Sequence, residues 1–317
     1  MDKNGIHEDP FDFPEAFLEA EETPAPPVAA KKRGPRLGLV LGSSGVRAFA
    51  ALPLLQLLSA QKIPVDLVVG CSGGGFLAAL WGAGFDMKHI ERVLYSVFKS
   101  DVSMQVDPKS LMRMAGDRLG SFAQTSGLYK PQGLRKACDI IFKDMLLEDL
   151  SPKTTLYATD VNSGEGHPLE AGRVADAVMA CGSLYPIMPP VRINGRLLAD
   201  GSYFSPLPVM EAVKRDVDVI VAVFLQDVIN PKPTNFLECY MNIVSIAMRS
   251  LMRSQLFGSI GLHHYEIVIV QVPFDRNVQL WEVEAMPEIL TSAKRACLDA
   301  LPAIKDALKN FNKVGKA

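Results

Sequence analysis

The sequence predicts an α/β fold, a three-layer sandwich in which a central, largely parallel sheet is flanked by helices. Three observations carry this expectation. From Arg36 onward, short β-rich runs alternate with segments of helical periodicity. The runs LVLG, KIPVDLVVG and VDVIVAVFL are nearly continuous in apolar residues, as suits strands covered on both faces. Two glycine-rich turns, GSSG and GCSGG, stand where such a run gives way to a helical pattern. With 317 residues, 48% of them apolar and 21% charged, the chain is long enough for one large core.

The elements follow in order. Residues 1–30 hold eight acids and one lysine, end in ETPAPPVAA and lead into KKRGPR, a composition that predicts a flexible acidic, proline-rich tail over 1–35. Its Phe11, Phe13, Phe17 and Leu18 mark it as a docking arm or a plain solvated extension. The fold proper spans 36–317, with a motif-bearing core over 36–225 and a helical C-terminal part over 226–317. RLGLVLG predicts a strand, VRAFAALPLLQLLSAQ a helix with a proline in its middle, KIPVDLVVG a second strand and GGFLAALWGAGF a second helix. Strand, helix and strand make a right-handed βαβ unit. HIERVLYSVF and GLRKACDIIFKDML read as helical cover, TTLYATDVNSG as a strand and RVADAVMAC as a short helix. VRINGRLLADG reads as a hairpin whose Asn194-Gly195 pair suits a type I′ turn. VDVIVAVFL and IVIVQV are further strands, separated by the long apolar helix FLECYMNIVSIAMRSLMRSQLF and followed by an amphipathic helix over 284–312.

Composition excludes several functions. Lysine and arginine number 33 against 35 acidic side chains, which removes a general electrostatic basis for nucleic-acid binding. The five cysteines lie far apart with no CxxC spacing, against a disulfide framework or a zinc site and in favour of a reducing compartment. The first residues lack the basic and apolar regions of a signal peptide, and no stretch reaches the apolar length that spans a bilayer. The expectation is a cytoplasmic protein, soluble or peripherally associated with a membrane, that needs no metal or cofactor.

Chemistry concentrates in three places. Gly70-Cys71-Ser72-Gly73-Gly74 follows a strand and opens a helix, the setting of a nucleophile elbow, in which flanking glycines permit the tight turn that exposes the serine oxygen. The helix start brings unpaired N–H groups and partial positive charge to the position of a tetrahedral oxyanion. Gly42-Ser43-Ser44-Gly45-Val46-Arg47 occupies a similar junction and reads as half of an oxyanion hole, a phosphate-binding loop or a tight turn. It has neither GxxxxGK[ST] nor GxGxxG spacing, which argues against a nucleotide. Asp200-Gly201 ends an apolar strand, and a partly buried aspartate there could accept the serine proton without a histidine. His7, His89 and His167 fall in the tail, an outer charged stretch and a turn. His263 and His264 follow Ser72 and Asp200 in triad order, but one strand ahead of the elbow strand is too few for the usual α/β-hydrolase sheet and HGGG is absent. Cys71 is either a thiol made reactive beside the elbow or an inert packing residue.

Together and in this order, Ser43-Ser44-Gly45-Val46-Arg47-Ala48, Gly70-Cys71-Ser72-Gly73-Gly74 and Asp200-Gly201-Ser202 resemble the patatin-like phospholipase family over about 36–225. The resemblance implies a lipid acyl hydrolase with a Ser72–Asp200 dyad and an acyl-enzyme. It also implies an oxyanion hole from the backbone around Ser44, Gly45 and Val46, with Arg47 supporting the loop. Serines stand in place of the first two loop glycines, Ala48 in place of a glycine, and Ser202 after Asp200-Gly201 in place of glycine or alanine. The partner expected is a lipid or acyl ester. An acyl-thioesterase, an acyltransferase and a catalytically silent lipid-binding protein are the alternatives. The methionine-rich run from Phe236 is either an acyl-chain wall or membrane-contacting helix, or a helix buried against the sheet or in a subunit interface.

Overall fold

The computed structural model describes residues 34–43, 45–99, 106–107, 123–215, 217–226, 228–262 and 266–314. The acidic tail, Ser44, His263 and His264 lie outside them. Eight strands form one sheet: β1 (Leu37–Leu41), β2 (Leu67–Cys71), β3 (Lys153–Asp160), β4 (Gly166–Leu169), β5 (Val191–Ile193), β6 (Arg196–Asp200), β7 (Val219–Leu225) and β8 (Glu266–Val272). The expected parallel core is present as β3, β2, β1, β7 and β8 side by side. The remaining three strands pair antiparallel, so the sheet is mixed.

Helices α1 (Leu52–Ala60), α2 (Gly73–Gly82), α3 (Met87–Lys99), α4 (Gln132–Phe142), α5 (Val174–Cys181) and α8 (Met286–Val314) supply most of the cover on one face; α6 (Val209–Val213) and part of α7 (Phe236–Leu262) cover the other. β1 shows the division: Leu37, Leu39 and Leu41 enter the larger core while Val40 enters the smaller one. All five of its residues are buried, which is why the run lacks polar alternation. The proline expected inside the first helix stands instead at the start of α1, where a missing N–H costs nothing, and a 3₁₀ segment over Gly45–Ala51 precedes it. Asn194 and Gly195 both take positive φ, 49° and 79°, as the type I′ turn requires. One strand was not legible: β4 falls within NSGEGHPLE, where Gly, Asn and Pro suggest only a turn. α7 begins with an N-cap, in which Asn235 Oδ1 accepts the Glu238 N–H at 3.0 Å. Among the described residues no helix is long and apolar enough to cross a membrane.

Candidate active site

Three strand ends build the site. β3 has two edges; β4 takes one, and the other is shared by β2 and β6 in succession. β2 runs parallel to β3 and ends with Cys71 opposite Tyr157; β6 runs antiparallel and ends with Asp200 opposite Ala158. The two strands therefore meet end to end at consecutive positions of β3, and the residues that leave them, Ser72 and Asp200, arrive in the same place.

Ser72 turns the chain from β2 into α2 with φ 54° and ψ −126°, a conformation that a non-glycine residue holds only under strain. Packing enforces it. A Cβ on Gly73 would lie 2.4 Å from the Gly45 carbonyl oxygen, so the loop after β1 rests directly on the elbow. Although Ser72 occupies the N-cap position, its side chain makes no capping hydrogen bond, which leaves the hydroxyl for other work.

Asp200 is fully buried. Its N–H donates to Ser183 O at 2.9 Å, and its carbonyl accepts from Thr159 Oγ1 at 2.9 Å. Oδ1 accepts from the Ser202 N–H at 2.9 Å and from the Cys71 thiol at 3.9 Å. Oδ2 is buried with no hydrogen-bond partner of its own. Burial raises the carboxyl above its usual pKa of 3.8; the Ser202 N–H and then the Ser72 hydroxyl favour the charged form but do not offset the desolvation.

Of the loop residues, Ser43, Gly45 and Arg47 line a cavity together with Ser72 and Asp200. Gly45 has φ +55°, and a Cβ there would lie 2.6 Å from Leu280 O, so only glycine fits. The expectation for Val46 requires correction: its N–H donates to Leu280 O at 2.8 Å and its side chain is fully buried, so that donor is already committed. Nothing near Val46 in the chain signals this, because Leu280 comes from a distant connection ahead of α8. Arg47 is 9% exposed. Gly70, Cys71 and Gly74 support the elbow from beneath, with Gly74 packed on Leu41 and Gly42 carbonyls. A Cβ on Gly201 would lie 2.1 Å from Tyr157 O, which explains the residue after Asp200.

The Cys71 thiol is pushed well up, first by burial and then by Asp200, which makes it a packing residue rather than a reactive one. His89 is buried, stacks on Phe85 at 4.9 Å and is lowered by burial. His167 lies in β4 rather than in a turn, half-buried and lowered by burial and then Arg196. Neither lines the cavity.

The cavity has a volume of about 520 Å³. Its floor is polar at Ser72 and Asp200; its walls are apolar, formed by Phe76, Leu184 and Ile187 and by Met241, Met248 and Met252 of α7. The methionine-rich helix forms a cavity wall on its inner side, and its Met252 and Leu256 also pack on the smaller core. Gln255 ties it to the segment after Asp200, donating from Nε2 to Phe204 O at 2.7 Å and accepting from Ser205 Oγ at 2.7 Å. Trp281 lines the cavity too; it stands in the connection after β8, where no motif marks it in the sequence.

Comparison with known proteins identifies the family. Residues 39–213 match the patatin-like phospholipase family. The lysophospholipase NTE1 of Kluyveromyces lactis is 28% identical over 204 residues, 64% of this chain and 13% of that protein. An uncharacterized NTE family protein of Mycobacterium bovis is 25% identical over 202 residues, 63% of this chain and 52% of that one. The chain therefore spans about an eighth of the length of the fungal relative and about half of the mycobacterial one. VipD from Legionella pneumophila aligns over 85% of this chain and 67% of its own, with a TM-score of 0.47 and 12% identity. With the family's sequence pattern extending from β1 through α6 and more than half of the residues matched, the chain belongs to the patatin-like phospholipases, a family of lipid ester hydrolases.

Proposed function

We propose that the protein is a lipid acyl hydrolase working through a Ser72–Asp200 dyad. The observation that carries this reading is the buried, unpartnered Oδ2 of Asp200 at the floor of an apolar cavity that Ser72 also lines. An unsatisfied buried carboxylate oxygen is costly unless it has work to do. Desolvation raises its proton affinity toward that of a useful general base.

Ser72 Oγ attacks the ester carbonyl carbon while its proton passes to Asp200 Oδ2. The tetrahedral oxyanion is held by the N–H groups of Gly45 and Gly73, the latter among the first-turn donors that α2 leaves without an intrahelical partner. The intermediate collapses, the C–O bond to the alcohol breaks, and Asp200 returns the proton to the leaving oxygen. Water then gives a proton to Asp200 and attacks the acyl-enzyme; the second collapse releases the fatty acid and restores the Ser72 hydroxyl. Arg47, nearly buried beside the loop, supports it and adds positive charge. The apolar walls accept the acyl chain. Peripheral contact with a membrane belongs to this reading as the source of a water-insoluble ester. A cytoplasmic setting fits the five free cysteines, four of them buried.

The test is labelling with a fluorophosphonate probe together with turnover of a short-chain chromogenic ester. Wild type should label and turn over, whereas Ser72→Ala and Asp200→Asn should each lose on the order of 10⁴-fold in kcat/KM. Full turnover in Ser72→Ala would remove the dyad. A wild type that neither labels nor turns over would point to a silent lipid-binding protein.

A further inference from the structure

We propose that the outward face of α7 is a docking surface for a lipid bilayer, from which acyl esters enter the cavity over Ser72. The substrate half of this inference rests on the hydrolase reading; the docking itself requires no catalysis.

Positions 236, 239, 243, 246, 250, 253, 257 and 260 alternate in steps of three and four and so form one stripe along the helix. On it Phe236, Ile243, Ile246, Phe257 and Ile260 are 83%, 62%, 54%, 77% and 55% exposed. Scattered exposed apolar residues need no explanation, but a row of five on one helix marks a surface that meets something apolar. The helix has 27 residues and is about 40 Å long. As no described helix can cross a membrane, it would lie in the interface plane, apolar face inward.

The candidates for the other side are a bilayer and a second copy of the chain, and two observations favour the bilayer. Arg253 and Phe257 belong both to the exposed stripe and to the cavity lining, so the cavity opens onto this face. A second copy seated there would cover the opening; a bilayer would feed it. Beyond Glu238 the helix holds no acidic residue and two arginines, Arg249 and Arg253. Between two protein helices, Arg253 would be enclosed by isoleucine and phenylalanine. At a bilayer surface its stem stays among apolar groups while the guanidinium reaches lipid phosphates.

The chain carries its own reporter, because Cys239 is exposed on the stripe and the other four cysteines are buried. Full-length protein labelled at Cys239 with an environment-sensitive fluorophore should shift its emission to the blue and sediment with vesicles of phosphatidylcholine containing phosphatidylglycerol. The double variant Ile243→Gln/Ile246→Gln, whose side chains do not line the cavity, should lose at least about tenfold in vesicle partitioning, two isoleucines no longer leaving water. It should keep wild-type turnover of a water-soluble short-chain ester while its hydrolysis of vesicle-borne lipid falls in parallel with binding. Ser72→Ala should bind vesicles as wild type does, so a protein that docks but cleaves nothing would sustain the docking and remove the hydrolase reading. Three results would overturn the proposal: no shift with vesicles, equal partitioning of the double variant, or a wild-type oligomer by light scattering that this variant converts to monomer.

Discussion

An aspartate withdrawn from water costs free energy to ionise, and Asp200 bears that cost with one oxygen unpartnered. Well below 3.8 its carboxyl is protonated in folded and unfolded chains alike, and its contribution to stability is fully present. As pH rises through 3.8 the unfolded chain ionises first, so that contribution declines until the folded carboxyl also ionises at its raised value. Asp200→Asn should therefore raise the urea midpoint over wild type at neutral pH and lose that advantage in acid, even as it abolishes turnover. The pH profile of kcat/KM for a short-chain ester should rise through a pKa above 3.8; a profile flat across the acid limb would contradict the assignment. Gly45 tests the loop. Gly45→Ala places a Cβ against Leu280 O at a φ alanine resists, and a displaced oxyanion donor should lower kcat on the order of 10²-fold. The placement of Ser72 and Asp200 at glycine-flanked strand ends was legible in the sequence, because glycine beside a tight strand-end turn is a local requirement. The commitment of the Val46 N–H was not, since its acceptor lies 234 residues away in sequence, at Leu280.

At the scale of elements, α7 is held to the Asp200 segment in part through Gln255, whose amide joins Phe204 and Ser205. Gln255→Leu leaves a carbonyl and a hydroxyl without partners and should destabilise the fold by about 1 to 3 kcal/mol. Hydrogen exchange should then quicken along α7 and around Ser202–Ser205 ahead of the rest; uniform loss of protection would mean the tether is not local. The strands of the parallel core announced themselves because burial on both faces leaves nothing but apolar residues to read. β4 did not, being a four-residue strand containing a proline, with turn-forming residues on its N-terminal side. The two sides of α7 were hard to separate for the opposite reason: inner and outer faces are both apolar, so periodicity gives no direction, and only the cavity assigns each residue.

For the whole molecule, the family pattern stops at 213 while the sheet does not. β1 lies between β2 and β7, and β7 between β1 and β8, so the last third of the chain completes the layer on which the site stands. Val268, Val270, Ile289, Ala293 and Ile304 are buried in the same core as Leu39 and Phe49. A chain ending at residue 225 should fail to give soluble protein with cooperative unfolding; a stable fragment would show the C-terminal part to be an accessory. The end-to-end meeting of β2 and β6 along one edge of β3 makes that strand a ruler for the spacing of Ser72 and Asp200. Distance along it is counted in residues, not set by side chains. Substitutions at Tyr157 or Ala158 would alter packing, but a single inserted or deleted residue there would shift one strand end against the other by about 3.3 Å and turn its side chains to the opposite face. In a library of variants the β3 segment should accept many replacements and almost no change of length, so the distance between the two strand ends is inherited as a count.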